Sequence, residues 1–309
     1  MSDESYAIEL REVSKEYPGI HALNKINLKV KKGTIHGFLG PNGAGKSTAM
    51  NIIAGLIPPS TGKVFVLGED SLLKPNLSKK EIGILPEHPP LYLNMKVRDY
   101  LEFSQKIHGC TQGKEKLEEI ISKVGLNEVE QRLIGNLSKG YRQRVGMAGA
   151  LVYDAKIIIL DEPMVGLDPV AIAQIRDLII SLKKDHTILL STHQLYEAAK
   201  ICDEITIIQN GEIKRAGTID ELREEIAGVK RFEAIVKDSD ENLTKVLNAM
   251  DGVNCIKLNS GTLQIDIKST LDMRGKVTKA MTDHGDLLQF FEHQIDLEEI
   301  FKEVVKRDV

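Results

Sequence analysis

No apolar run in this 309-residue chain approaches the roughly 18 to 20 residues that a bilayer-spanning helix needs. The sequence therefore reads as carrying no helical membrane span of its own. A strong charge of one sign is also missing. Lys and Arg number 41 against 45 Asp and Glu, and the net charge of −4 gives no global reason to expect a nucleic-acid partner. Cysteine is scarce: Cys110, Cys202 and Cys255 are scattered without metal-type spacing. They read as reduced thiols of a cytosolic protein. The opening Met1-Ser-Asp-Glu-Ser-Tyr6 is acidic and polar, which argues against a secretory leader. The length suggests two domains.

What is present begins with Gly40-Pro-Asn-Gly-Ala-Gly-Lys-Ser-Thr48, a phosphate-binding loop. Gly40, Gly45, Lys46 and Ser47 set the frame G-x-x-x-x-G-K-S. Glycines let successive backbone N–H groups converge on a phosphate chain. Lys46 suits the β- and γ-phosphates, and the Ser47 hydroxyl suits Mg²⁺. A buried strand is expected over Thr34–Leu39 and a helix over Thr48–Ala54. The helix N-terminus, with its partial positive charge, would then point at the phosphates. Downstream, Ile157-Ile-Ile-Leu-Asp-Glu-Pro163 reads as a buried parallel strand ending in two carboxylates. Asp161 is expected to hold Mg²⁺, and Glu162 to act as general base on the attacking water.

Leu137-Ser-Lys-Gly-Tyr-Arg-Gln-Arg144 then narrows the field. It resembles the signature segment of the ATP-binding cassette (ABC) family, commonly LSGGQ-x-Q-R. The resemblance runs from about Tyr6 to about Leu222, in the family's motif order. It implies an adenine-stacking role for Tyr17 and a nucleotide-binding role for Gly40, Pro41, Asn42, Gly43, Ala44, Gly45, Lys46, Ser47 and Thr48. Gly166-Leu-Asp-Pro169 matches the D-loop, and His193 the switch histidine that contacts the γ-phosphate. The catalytic set it implies is Glu162, His193 and Lys46. The metal set is Ser47, Glu87 and Asp161.

Three positions depart from the family pattern. Glu87 stands where the family places Gln and adds negative charge near Asp161 and Glu162, so tighter dependence on Mg²⁺ is expected. Lys139 replaces the first central glycine of the signature, and Tyr141 its Gln. Ser138 and Gly140 remain, and the resemblance implies that they contact the ATP of a second copy. Ser138 is expected to cap the helix that follows. The implied assembly is a homodimer of cassettes with two ATP molecules sandwiched between them, closed by ATP and loosened by hydrolysis.

The variant motifs and a C-terminal extension resemble single-cassette exporter subunits of gliding-motility and drug-resistance type. Separate integral-membrane permease subunits are implied, with the chain peripheral on the cytoplasmic face of the cell membrane. ATP and Mg²⁺ are the implied ligands. The alternative is a non-transport ABC ATPase of envelope remodelling, translation or repair.

The order of elements predicts an α/β P-loop cassette over residues 1–228. It combines a parallel core sheet, a small antiparallel sheet from Ile8–Val13 and Ile26–Val30, and a helical subdomain from Asp99 to Tyr153. A hairpin is expected at Asn210-Gly211, a type I′ turn signal. Residues 229–309 read as a small α+β, ferredoxin-like accessory domain in the order β-α-β-β-α-β plus a last helix. That helix carries Leu297, Ile300, Phe301 and Val304 at i, i+3, i+4, i+7, an apolar stripe expected to pack on its own domain. His284 and His293 form no arguable metal pair.

Overall fold

The computed structural model describes residues 5–109, 113–227, 229–239, 242–259, 261–268, 271–292 and 296–306. The chain divides into two compact units, Met1–Thr218 and Ile219–Val309. The expected boundary residue, Gly228, lies outside the described residues, as do Cys110 and His293.

In the first unit the elements run β1 (Tyr6–Tyr17), β2 (Ile20–Lys31), β3 (Ile35–Leu39), α1 (Lys46–Ile53), β4 (Thr61–Val66), β5 (Glu69–Asp70), α2 (Pro75–Lys80) and β6 (Ile82–Leu85). A helical stretch follows, with α3 (Val97–Ile107), α4 (Gly113–Lys123) and α5 (Lys139–Leu151). The chain then alternates: β7 (Ile157–Asp161), α6 (Pro169–Leu182), β8 (Thr187–Thr192), α7 (Leu195–Ile201), β9 (Glu204–Gln209) and β10 (Glu212–Gly217).

These strands build two sheets. The central one has the order β10-β9-β3-β8-β7-β6. Its neighbours pair in parallel except β9 with β10, which form the expected hairpin. Asn210 and Gly211 both take positive φ, +51° and +75°, as a type I′ turn requires. The second sheet, β2-β1-β4-β5, is antiparallel throughout.

The inner strands β3, β7, β8 and β9 are covered on both faces and buried along nearly their whole length, whereas the edge strand β10 is half-buried. Along β7, Ile157 and Ile159 join the core shared with β1, β2, α1 and Phe38. Ile158 and Leu160 point the other way, into the core shared with α3, α4, α5 and α6. Each such isoleucine is fully buried and contributes roughly 1.5–3 kcal/mol by leaving water. This double burial fixes the carboxyl end of β7, and so the place of Asp161 and Glu162.

The second unit opens with α8 (Ile219–Ala227), which groups with it rather than with the first. Then follow β11 (Val229–Lys237), α9 (Leu243–Asn248), β12 (Val253–Asn259), β13 (Thr262–Lys268), α10 (Arg274–Asp283), β14 (Asp286–Glu292) and α11 (Leu297–Lys306). Its antiparallel sheet has the order β12-β13-β11-β14. Leu243 and Leu247 of α9 and Val277 and Met281 of α10 pack with Phe232, Ala234, Leu263 and Ile265 in one core. The edge strand β12 is shielded by Asn248, whose amide accepts from Cys255 N at 2.6 Å and donates to Cys255 O at 3.0 Å. In α11 Leu297, Ile300 and Val304 are buried and Phe301 is half-buried, so the apolar stripe faces inward, where α11 packs with α8.

Candidate functional site

The loop Gly40–Ser47 connects the end of β3 to the start of α1, and backbone crowding leaves it little choice of shape. A Cβ at Gly40 would lie 2.3 Å from Ile208 O, so only glycine lets the chain turn there against β9. The hairpin turn braces the loop from one side, as Gly211 N donates to Ala44 O at 3.0 Å. Helix α1 begins at Lys46, two residues earlier than the spacing predicted, so the lysine itself sits in the first turn. Its side chain is buried, and the ammonium donates to Gly40 O at 2.8 Å and Pro41 O at 3.3 Å.

Across the loop, Glu162 is also buried, with its carboxylate 3.7 Å from the Lys46 ammonium and 3.0 Å from His193 Nδ1. The His193 N–H reaches the same oxygen, Oε2, at 3.4 Å. The acid is thus held between a fixed cation and an imidazole at the end of β8. The Ser191 hydroxyl donates to Asp161 Oδ1 and accepts from the Glu162 N–H at 3.0 Å. Glu162 takes φ +48°, a left-handed conformation sparsely populated by non-glycine residues.

A cleft of about 850 Å³ opens over this arrangement. The structure gathers Tyr17, Asn42, Gly43, Gly45, Lys46, Ser47, Thr48, Glu87, Glu162 and His193 around it. Gly40, Pro41 and Ala44 form the loop behind, and Asp161 sits half-buried at the end of β7. The cleft is also walled by Ile20, His21, Ala22, Val165 and Asn210, none of which motif reading selected. For Asn210 the Asn-Gly turn was legible, but not that the turn borders the site.

Ser138 and Gly140 do not line this cleft. They border a second cavity of about 240 Å³ with Lys139, Tyr141, Arg144, Gly166 and Asp168, and the two cavities share no lining residue. Ser138 caps α5 as expected, accepting from Tyr141 N at 3.4 Å. Asp168 caps α6 by accepting from Val170 N at 3.0 Å and Ala171 N at 2.9 Å.

The donor set suits its implied ligands. The loop glycines and the first turn of α1 form an anion cradle. Ser47, Glu87 and Asp161 offer only oxygen, the chemistry a hard divalent cation prefers. Below the loop, His36 of β3 is buried with Nε2 2.8 Å from Thr206 Oγ1. Burial, with Lys31 nearby, pushes its pKa down to about 4.

A family profile described as ABC transporter matches residues 23–165. The chain is 32% identical over 305 residues to the bacitracin transport ATP-binding protein BcrA of Bacillus licheniformis, covering 97% of this chain and 98% of that protein. This chain is an ATP-binding subunit of the ABC transporter family. The linearmycin resistance ATP-binding protein LnrL of Bacillus subtilis is 29% identical, with 97% and 98% covered. Among solved structures, an ATP-binding subunit of an ABC transporter aligns with a TM-score of 0.65 at 29% identity, covering 71% of this chain and 92% of that one. A dimeric bacterial ABC transporter cassette aligns at 0.63 and 28% identity, covering 69% and 98%. The fold is therefore the P-loop ABC cassette, and the chain is an ATPase. In the described residues no helix is long and apolar enough to cross a membrane.

Proposed function

We propose that this ABC subunit is the motor of an exporter. Two copies close on two ATP molecules, and hydrolysis reopens them while separate permease subunits carry the substrate. The observation that carries this reading is the separation of the two cavities. The cleft of one chain holds loop, base and switch histidine, while Ser138 and Gly140 border a different cavity. A second copy supplying Ser138 and Gly140 would complete each site, in keeping with the dimeric cassette that the fold matches. Export is supported by relatives named for bacitracin transport and for linearmycin and daunorubicin resistance. These names give no support to a non-transport role in envelope remodelling, translation or repair.

In this mechanism Tyr17 stacks on the adenine and the loop amides hold the phosphates. Lys46 turns from the Gly40 and Pro41 carbonyls to the β- and γ-phosphates. Glu162 takes the proton of the attacking water as the bond from the γ-phosphorus to the bridging oxygen breaks, giving ADP and phosphate. His193, already against Glu162, keeps that carboxylate aimed and contacts the γ-phosphate. Mg²⁺, held by Ser47, Glu87 and Asp161, would neutralise phosphate charge when bound. The exposed rings of Tyr92 and Phe103 meet edge to face with centroids 5.6 Å apart, an apolar pair suited to a cytoplasmic segment of the permease. Such a complex places the chain on the inner face of the membrane.

The second unit is read as a ferredoxin-like accessory domain. Its order β14-β11-β13-β12, with α9 and α10 in one core, supports that assignment.

Sedimentation velocity of Glu162→Gln with and without Mg-ATP tests the sandwich. The variant should lose turnover by about 10²- to 10⁴-fold and become a dimer with ATP. A monomer under both conditions would refute the shared-site reading.

A further inference from the structure

The hydrogen bonds at the end of β8 give a role to Ser191, which opens the switch-histidine segment Ser191-Thr-His193 but has no role assigned by it. In the ladder between β7 and β8, Asp161 lies opposite Ser191, which is fully buried. The Glu162 N–H points at Ser191, meeting Oγ at 3.0 Å and the carbonyl oxygen at 3.2 Å. An ionised Asp161 carboxylate can only accept, so the Ser191 hydroxyl donates to its Oδ1 while a lone pair of Oγ takes the Glu162 N–H. Among the described residues Ser191 is the one side-chain donor on Asp161.

The turn it holds is one that the backbone resists. Glu162 sits in the left-handed region at φ +48°, where a non-glycine residue stays only if its surroundings over-determine it. Ser191 supplies that constraint from the neighbouring strand. Two residues on, His193 reaches Glu162 Oε2 through both its backbone N–H and its ring. The end of β8 therefore grips the carboxylate of Asp161 and both the backbone and side chain of Glu162.

We propose that Ser191 is a positioning residue for ATP hydrolysis. By fixing one oxygen of Asp161, it leaves the other for the metal or its water. By fixing the Glu162 amide, it keeps the base in its strained, outward turn. The proposal rests on the assignment of Glu162 as base and Asp161 as metal carboxylate. It makes the two acids and His193 one rigid body, so that a shift of β8 moves base and metal carboxylate together.

The test uses the purified full-length chain and the variants Ser191→Ala, Ser191→Val and Ser191→Thr, each checked for fold by circular dichroism. Valine and threonine have the same shape, so their difference isolates the hydroxyl. Removing a hydrogen bond to a charged group should lower kcat roughly 10- to 100-fold in the Ala and Val variants. The Mg²⁺ concentration for half-maximal rate should rise several-fold, while a fluorescent ATP analogue binds within about twofold of wild type. Threonine should restore kcat to within about threefold. Equal rates for Val and Thr variants that both keep the wild-type circular dichroism, or an Ala variant with wild-type kcat and Mg²⁺ dependence, would overturn the proposal. If threonine does not fit the fully buried site, the Mg²⁺ dependence of the Ala variant decides alone. Turnover that survives Glu162→Gln would instead refute the underlying assignment. Loss in Glu162→Gln beside a wild-type Ser191→Ala would refute only the role of Ser191.

Discussion

Acid should loosen the strand that carries the phosphate loop, and His36 sets the window. The imidazole is 2% exposed, with Nε2 2.8 Å from Thr206 Oγ1 and Nδ1 3.8 Å from Glu204 Oε2. Glu204 would favour a protonated ring, but it is paired with Lys31, and desolvation dominates. The folded pKa falls from 6.5 to about 4. Between these values the unfolded chain binds the proton and the folded chain does not. Stability therefore rises with pH across the window. The contribution is whole above pH 6.5 and is lost as pH falls toward 4. One pH unit below 6.5 the loss is roughly 1.4 kcal/mol, and by pH 4 it reaches roughly 3 kcal/mol. Carboxylates begin to titrate below about pH 5, so pH 5.5 against 7.5 is the clean comparison. The chain has no tryptophan, so thermal melts followed by circular dichroism are the assay. His36→Gln keeps a donor for Thr206 and cannot titrate. Wild type should lose stability between pH 7.5 and 5.5 by about that amount more than the variant. An equal loss in both would show that His36 is protonated in the fold and that the desolvation argument is wrong.

Two further outcomes follow from the cleft. Lys46→Ala removes a buried ammonium that meets Gly40 O, Pro41 O and Glu162. Nucleotide affinity itself should fall, by roughly 10- to 100-fold for one charge-assisted contact. Titration with a fluorescent ATP analogue reads this directly, and unchanged affinity would remove the lysine from the phosphate site. Glu87→Gln should leave Mg²⁺-dependent turnover within about tenfold, roughly 1.4 kcal/mol of barrier, because Glu87 is exposed at the cleft margin and not locked into the Asp161–Ser191–Glu162 network. A loss as deep as that of Glu162→Gln would place Glu87 in the chemistry.

How far the site could be read before its geometry was known depends on whether a feature is local. The phosphate loop is local: Gly40 to Ser47 are contiguous, and their spacing alone fixes which amides and which lysine meet. The Asp161-Glu162 pair is local too, because a doubly buried strand advertises itself as an unbroken apolar run. The caps at Ser138 and Asp168 each join residues only two or three apart. Ser191 is different. Its meaning comes from lying opposite Asp161 in a parallel ladder, 30 residues away, and a buried serine in a strand carries no mark of that register. Asn210 borders the cleft only because β9 lies beside β3, a pairing separated by nearly the whole first unit. Strand β4 shows itself only through its partner: Thr-Gly-Lys-Val-Phe-Val is exposed over its first three residues and carries no apolar run or alternation there, and its identity comes from pairing with β1. The same distinction governs the division of the chain. A glycine in the sequence suggests a boundary, yet what assigns α8 is burial. Leu222 is 1% exposed, and α8 packs with α11 of the second unit. Local composition locates turns, whereas unit membership follows from which apolar face a helix shares, and that is settled by residues some 80 positions further along the chain.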